Sequence, residues 1–126
     1  MDVPNNLTLL VIDDEEDFCF FVRENLLRAE MGEVFVATTG AHGIELAKEN
    51  APDIILLDLV MPDMSGEDVA AALKDNPDTA GIPIVYITAL ATDEDVEGTK
   101  IGNDYMLAKP LRTKKLIQTI RKIVSH

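Results

Sequence analysis

The stretch Ile54-Ile55-Leu56-Leu57-Asp58-Leu59-Val60-Met61-Pro62-Asp63-Met64-Ser65-Gly66 decides how this chain is read. An apolar run ends on one carboxylate and breaks into a turn that contains proline and glycine. Four consecutive apolar residues suit a strand covered on both faces, as in a parallel sheet. The carboxylate at its end is either a turn cap before the helix that Ser65 starts or a functional group. Taken alone, Asp58 fits the first explanation. The second gains ground because three other strand-like segments end in residues of suitable chemistry, and a parallel sheet brings those ends together.

Upstream, Thr8 to Ile12 is a short apolar run that stops at Asp13 and Asp14, and reads as a buried strand. Phe18, Phe21, Val22, Leu26 and Ala29 then recur at helical spacing until Met31-Gly32. Glu33 to Thr38 is a second strand; Gly40 opens a second helix over Ala41, Ile44 and Ala47 to Asn50, which Pro52 closes. Downstream, Ser65 and Asp68 have capping-box spacing, and Val69, Ala72 and Leu73 make the buried stripe of a third helix ending near Asn76-Pro77. Ile82 to Thr88 is a fourth strand, with Pro83 tolerated at its start. Thr92 and Asp95 are placed to cap a weaker fourth helix ending near Ile101-Gly102, and a fifth strand, Asp104 to Ala108, ends at Lys109-Pro110. The last helix has the clearest stripe: Leu116, Ile117, Ile120, Ile123 and Val124.

Five strands alternating with five helices predict a single α/β domain, a doubly wound parallel sheet with helices on both faces. The binding crevice of such sheets lies outside the carboxyl ends of the strands. Here those ends carry Asp13, Asp14, Asp58, Thr88 and Lys109.

Composition narrows the function. The 126 residues suffice for one core without staples, and the single cysteine, Cys19, excludes an internal disulfide framework. Nothing basic precedes the first apolar run and five acids follow it, so neither a signal peptide nor membrane insertion fits, and a cytoplasmic protein is expected. The net charge of −12 argues against direct nucleic-acid binding. Six of the eleven basic residues (Lys109, Arg112, Lys114, Lys115, Arg121, Lys122) fall in the last eighteen positions, where the helix dipole favours cations.

Each strand-end residue has an ordinary explanation by itself, as a cap, a dipole partner or a surface cation. Together they make a site. Three carboxylates meeting at one place repel one another unless a cation intervenes. Oxygen ligands, with no cysteine or suitably spaced histidine, point to Mg²⁺ or a similar hard ion; His42 and His126 are assigned no role. A carboxylate beside Mg²⁺, with an ammonium and a hydroxyl nearby, is equipped to accept a phosphoryl group. Asp58 is the candidate nucleophile, Lys109 and Thr88 the groups that hold the phosphoryl oxygens, and Ala89 the small residue that leaves room for entry.

The motifs Val11-Ile12-Asp13-Asp14-Glu15, Leu57 to Gly66, Ile87-Thr88-Ala89, and Gly102-Asn103-Asp104 through Lys109-Pro110 occur in the order found in response-regulator receiver domains, the phosphoacceptor modules of two-component signalling. The chain resembles that family over nearly its whole length. The resemblance implies a flavodoxin-like sheet of strand order 2-1-3-4-5, phosphorylation of Asp58, and direct binding of Mg²⁺ by Asp14, Asp58 and the carbonyl of Val60, with Asp13 acting through water. It also implies a cis Lys109-Pro110 peptide and a phosphohistidine donor, either a sensor histidine kinase or a histidine phosphotransfer protein. Such a protein catalyses its own phosphorylation and dephosphorylation without turning over external substrates. Its output is a protein contact or onward phosphotransfer.

One position departs from the family. The aromatic residue usual three positions before the lysine is Met106 here; Tyr105 lies one earlier and, by strand alternation, faces the other side. Methionine is flexible enough to occupy an inward or an outward pocket. Val60 and Leu90, two residues past Asp58 and Thr88, cannot orient an attacking water, which predicts a persistent phosphoryl group. Phe18, Cys19, Phe20 and Phe21 cannot all face the core; Phe18 and Phe21 fit the buried stripe, leaving Phe20 outward beside the site as a contact for a helical histidine-bearing partner. Rival readings are a receiver excised from a hybrid kinase or multidomain regulator, an aspartate-nucleophile phosphohydrolase, which usually has a second acid where this chain has Val60, and a flavin-binding module, for which no phosphate loop follows the first strand.

Overall fold

The computed structural model describes residues 6–89, 99–101 and 104–125. Its strands are β1 (Leu7–Ile12), β2 (Gly32–Ala37), β3 (Ile54–Asp58), β4 (Ile84–Thr88), β5 (Thr99–Ile101) and β6 (Asp104–Ala108). Its helices are α1 (Glu16–Arg28), α2 (Gly40–Asn50), α3 (Gly66–Lys74) and α4 (Thr113–Val124). They form one sheet in the order β2-β1-β3-β4-β6-β5. Without β5, this is the expected order 2-1-3-4-5, all parallel.

The alternation of strand side chains divides the core in two. Leu9, Val11, Ile54, Leu56, Val85, Ile87, Tyr105 and Leu107 face α1 and α4, packing with Cys19, Val22, Leu26, Leu116 and Ile120. Leu10, Ile12, Ile55, Leu57 and Ile84 face α2 and α3, packing with Ala47, Val69, Ala70 and Leu73. β3 is buried at every position, which explains its unbroken apolar run. Burying both faces of this central strand makes its side chains expensive to truncate, at about 2–5 kcal/mol for a leucine cut to alanine.

Two expectations need correction. The fourth helix was expected to reach Ile101-Gly102, but Thr99–Ile101 is a short strand antiparallel to β6, pairing Thr99 with Met106 and Ile101 with Asp104. A Gly-Asn pair between two β-prone runs is a hairpin signal, and it outweighs the weak capping signal upstream. Residues 90–98, where the body of that helix was expected, lie outside the described residues. The second correction concerns Phe21, which is exposed while Cys19 is buried. Cys19, Val22 and Leu26 define the inward line of α1, and at about 100° per residue Phe21 falls roughly a third of a turn away from it. Phe20 is 64% exposed, as expected.

Local chemistry sets the helix starts around the site. Ser65 Oγ accepts from the Asp68 N–H at 3.0 Å, and Thr39 Oγ1 accepts from the His42 N–H at 3.1 Å. The Asp63 carboxylate accepts from the N–H groups of Gly40 and Ala41, tying the loop after β3 to the start of α2. β4 begins at Ile84, two residues later than expected, directly after Pro83, which has no N–H to give a ladder.

Candidate functional site

The carboxyl ends of β1, β3, β4 and β6 converge, as the crossover topology requires. Asp13 follows β1 and is buried; its Oδ1 accepts from the Glu15 N–H at 2.9 Å, and its carbonyl accepts from the Cys19 thiol at 3.2 Å. Asp14, next in the chain, is exposed. Asp58 is the last residue of β3 and 6% exposed, and its Oδ1 accepts from the Val60 N–H at 3.3 Å. One oxygen from each of Asp13, Asp14 and Asp58 lies within 4.8 Å of the others.

The loop after Asp58 is closed by backbone. Leu59 N–H donates to the Ile87 carbonyl at 3.1 Å, and Gly66 N–H donates to the Leu59 carbonyl at 2.8 Å. A Cβ on Gly66 would stand 2.4 Å from the Asp58 carbonyl oxygen, so a glycine is required where α3 begins. Thr88 is buried at the end of β4, and its carbonyl accepts from the Lys109 N–H at 2.7 Å. That bond places the two residues side by side. The Lys109-Pro110 peptide is cis.

Lys109 Nζ lies 2.9 Å from Asp13 Oδ2, 2.6 Å from Glu15 Oε1 and 3.9 Å from Asp58 Oδ2. It also sits 4.5 Å from the centre of the Phe18 ring. A cavity of about 380 Å³ opens over these groups, lined by Asp14, Glu15, Asp58, Val60, Ala89 and Lys109. The sequence-predicted residues therefore share one site: Ala89 and Val60 are on the cavity wall, and Thr88 is covalently next to it.

Electrostatics follow from burial and crowding. Burial, followed by the Asp13 charge, pushes the Asp58 carboxyl up to about 6. Burial also raises Asp13, against the opposing pull of Lys109. Burial draws the Lys109 ammonium down, but its pairs with Glu15 and Asp13 outweigh that and leave it at about 12. The Cys19 thiol, held up to about 12 by burial and the Asp13 charge, is inert packing. Asp13 Oδ2 is buried with no aligned hydrogen-bond donor among the described residues, although Lys109 is within ion-pair distance. A buried, incompletely satisfied carboxylate oxygen beside two more carboxylates fits a hard divalent cation such as Mg²⁺.

Three contributors were not assigned roles from sequence. Glu15 reaches the lysine from the far end of the chain, and no spacing rule signals that. Asp63 could have been read as a cap, but for a helix that starts 23 residues earlier, which only the fold reveals. Asp104 is buried, pairs with Lys74 and accepts from the Ile84 N–H at 3.1 Å, anchoring β6 against α3 and β4.

Residues 9–121 match the family model for the response regulator receiver domain, and the chain belongs to that family. It is 40% identical over 116 residues to the response regulator PleD of Caulobacter vibrioides, covering 91% of this chain and 25% of PleD. The chain thus spans a quarter of the length of that relative. It is 30% identical over 115 residues to the polar-differentiation response regulator DivK of Brucella ovis, covering 90% of this chain and 93% of DivK. Among solved structures it resembles the chemotaxis protein CheY4 of Vibrio cholerae, with a TM-score of 0.81 and 25% identity over 94% of this chain and 98% of that one. A response regulator from Chloroflexus aurantiacus gives a TM-score of 0.81 at 27% identity, over 96% and 99% of the two chains. No helix among the described residues is long and apolar enough to cross a membrane.

Proposed function

We propose that this receiver accepts a phosphoryl group on Asp58 from a phosphohistidine, with Mg²⁺ as cofactor. The observation that carries the reading is the grouping of Asp13, Asp14 and Asp58 around one cavity, with Lys109 Nζ 3.9 Å from Asp58. Asp14, Asp58 and the Val60 carbonyl would hold the metal, with Asp13 acting through water. Bound there, Mg²⁺ supplies neutralisation of the charge on the phosphoryl oxygens. An Asp58 carboxylate oxygen attacks phosphorus in line; the P–N bond of the donor breaks and its electron pair leaves with the imidazole. Lys109 pairs with one phosphoryl oxygen and the Thr88 hydroxyl donates to another. Ala89 leaves the space through which the group enters.

Phosphorylation then shifts an equilibrium between two forms whose protein contacts differ, or the phosphoryl passes onward. The donor is a sensor histidine kinase or a histidine phosphotransfer protein, docking beside the site where Phe20 stands exposed. A cytoplasmic location belongs to this reading, and the lone reduced cysteine accords with it. We read residues 1–126 as one receiver unit, acting alone or within a longer regulator. A phosphohydrolase is disfavoured because Val60 occupies the place of its second acid; absence of turnover on a phosphomonoester checks this.

Incubation with Mg²⁺ and a small phosphodonor, or with beryllofluoride as a phosphoryl mimic, tests the proposal by intact mass or spectral change. Wild type is modified and Asp58→Asn is not. Lack of modification of the wild type would refute it.

A further inference from the structure

Glu15 stands at the N-cap position of α1, yet its side chain makes no capping bond. Its carboxylate is spent instead on Lys109, at 2.6 Å, the shortest of the three carboxylate distances to that ammonium. Asp13 Oδ2 at 2.9 Å and the Phe18 ring at 4.5 Å complete a seat for the ammonium on the α1 side of the cavity. Asp58, the proposed acceptor, is the most distant of these carboxylates at 3.9 Å. Glu15 also lines the cavity itself, adding a third carboxylate, after Asp14 and Asp58, to the wall that an incoming phosphoryl group must pass.

We propose that Glu15 is a positioning residue that withdraws Lys109 from Asp58 and sets a charge barrier at the pocket mouth against dianionic phosphodonors. The inference rests on the phosphoacceptor reading of Asp58 given above. A phosphoryl group that engages Lys109 competes with Glu15 for the ammonium. A free dianionic donor meets both the competition and the repulsion. A donor of lower charge meets mainly the first.

Glu15 is 62% exposed along its side chain, so neutralising it leaves the core untouched. The effect is limited by solvent screening to what an exposed ion pair provides, about two- to fivefold in rate. Glu16, the next residue, lies in an adjoining acidic cleft with Asp14, Glu15, Asp17 and Thr38, outside the cavity over Asp58. It is the control for the general field of these acids.

The experiment compares wild type, Glu15→Gln and Glu16→Gln by intact mass, at saturating Mg²⁺ and fixed ionic strength, with acetyl phosphate as the dianionic donor and phosphoramidate as the monoanionic one. Glu15→Gln should phosphorylate about two- to fivefold faster with acetyl phosphate and gain less with phosphoramidate. Added salt should raise the wild-type rate toward that of the variant. In the metal-free proteins, the side-chain ammonium resonance of Lys109 should shift in Glu15→Gln and not in Glu16→Gln. Equal gains with both donors, equal gains in both variants, or an unmoved Lys109 resonance would each overturn the proposal. Failure of wild type to phosphorylate with either donor defeats the phosphoacceptor reading itself, a separate outcome.

Discussion

Asp58 sits where burial and the Asp13 charge oppose its ionisation, and its carboxyl rises from 3.8 to about 6. Such a raised group contributes stability that is present below its ordinary value and is lost as pH rises through the folded value. Metal-free wild type should therefore lose stability between about pH 4 and pH 6 relative to Asp58→Asn. At pH 7 the variant should be more stable by about 1–3 kcal/mol, and at pH 3.5 the two should coincide, as read by urea unfolding. Saturating Mg²⁺ should stabilise wild type more than the variant, because the metal lowers the repulsion that the substitution has already removed. Val60 is 60% exposed at the cavity mouth and carries no group to direct a water, so the phosphoryl group on Asp58 should persist; hydrolysis within seconds, followed by mass, would contradict this. Leu90, the other residue behind that expectation, lies outside the described residues. Met106 is half-buried opposite Tyr86, while Tyr105 is buried toward α4, with Lys122 Nζ 5.8 Å from its ring. Met106→Ala should cost on the order of 1 kcal/mol of stability. Its effect on phosphorylation-dependent partner binding should be smaller, and a large binding loss at unchanged melting would oppose that.

The turn from β3 into α3 fixes the backbone of Asp58 through the Leu59 and Gly66 N–H bonds. Gly66 packs against the Asp58 carbonyl, so Gly66→Ala must displace either the strand end or the helix start. Overpacking of this kind costs about 1–3 kcal/mol. Urea unfolding should show that loss, and phosphorylation should slow because the acceptor is moved. The neighbouring Ser65→Ala should lose about 1 kcal/mol through its cap while leaving the acceptor in place. The two variants thus separate stability from alignment. These turn residues were legible in the sequence, because proline, serine and glycine carry their conformational reasons locally. β5 was less legible. A three-residue strand has too short a pattern for periodicity, and it exists by pairing with β6. The position of Phe21 was misread for a related reason: five apolar candidates offered two possible stripes, and packing against the sheet selected the one through Cys19.

For the whole molecule, α1 connects the site to its surroundings. Its N-terminal turn carries Phe18 beneath Lys109, and its outer side exposes Phe20, Phe21 and Leu27. Phe20→Ala should leave thermal melting nearly unchanged and slow phosphotransfer from a histidine donor several-fold, as anchoring aromatics at interfaces do. Equal transfer rates would remove Phe20 from the docking surface. Rates with small phosphodonors should be unaffected, because the cavity over Asp58 does not include Phe20. The net charge of −12 adds a repulsive background for anionic donors, so all such rates should be compared at one ionic strength. By itself, the sequence determined the five parallel strands, their apolar faces, the strand-end residues Asp13, Asp14, Asp58, Thr88 and Lys109, and the glycine and serine that shape the turn after Asp58. Those features are local, set by side-chain period, by backbone permissiveness and by the rule that parallel strands present their carboxyl ends together. Only the tertiary structure decided that Lys109 rests on Glu15 and Asp13 rather than on Asp58, that Asp63 holds the start of α2, and that Asp104 locks β6. Each is a contact between charged groups distant in sequence, and its geometry exists only after the packed sheet has brought the groups within a few ångströms.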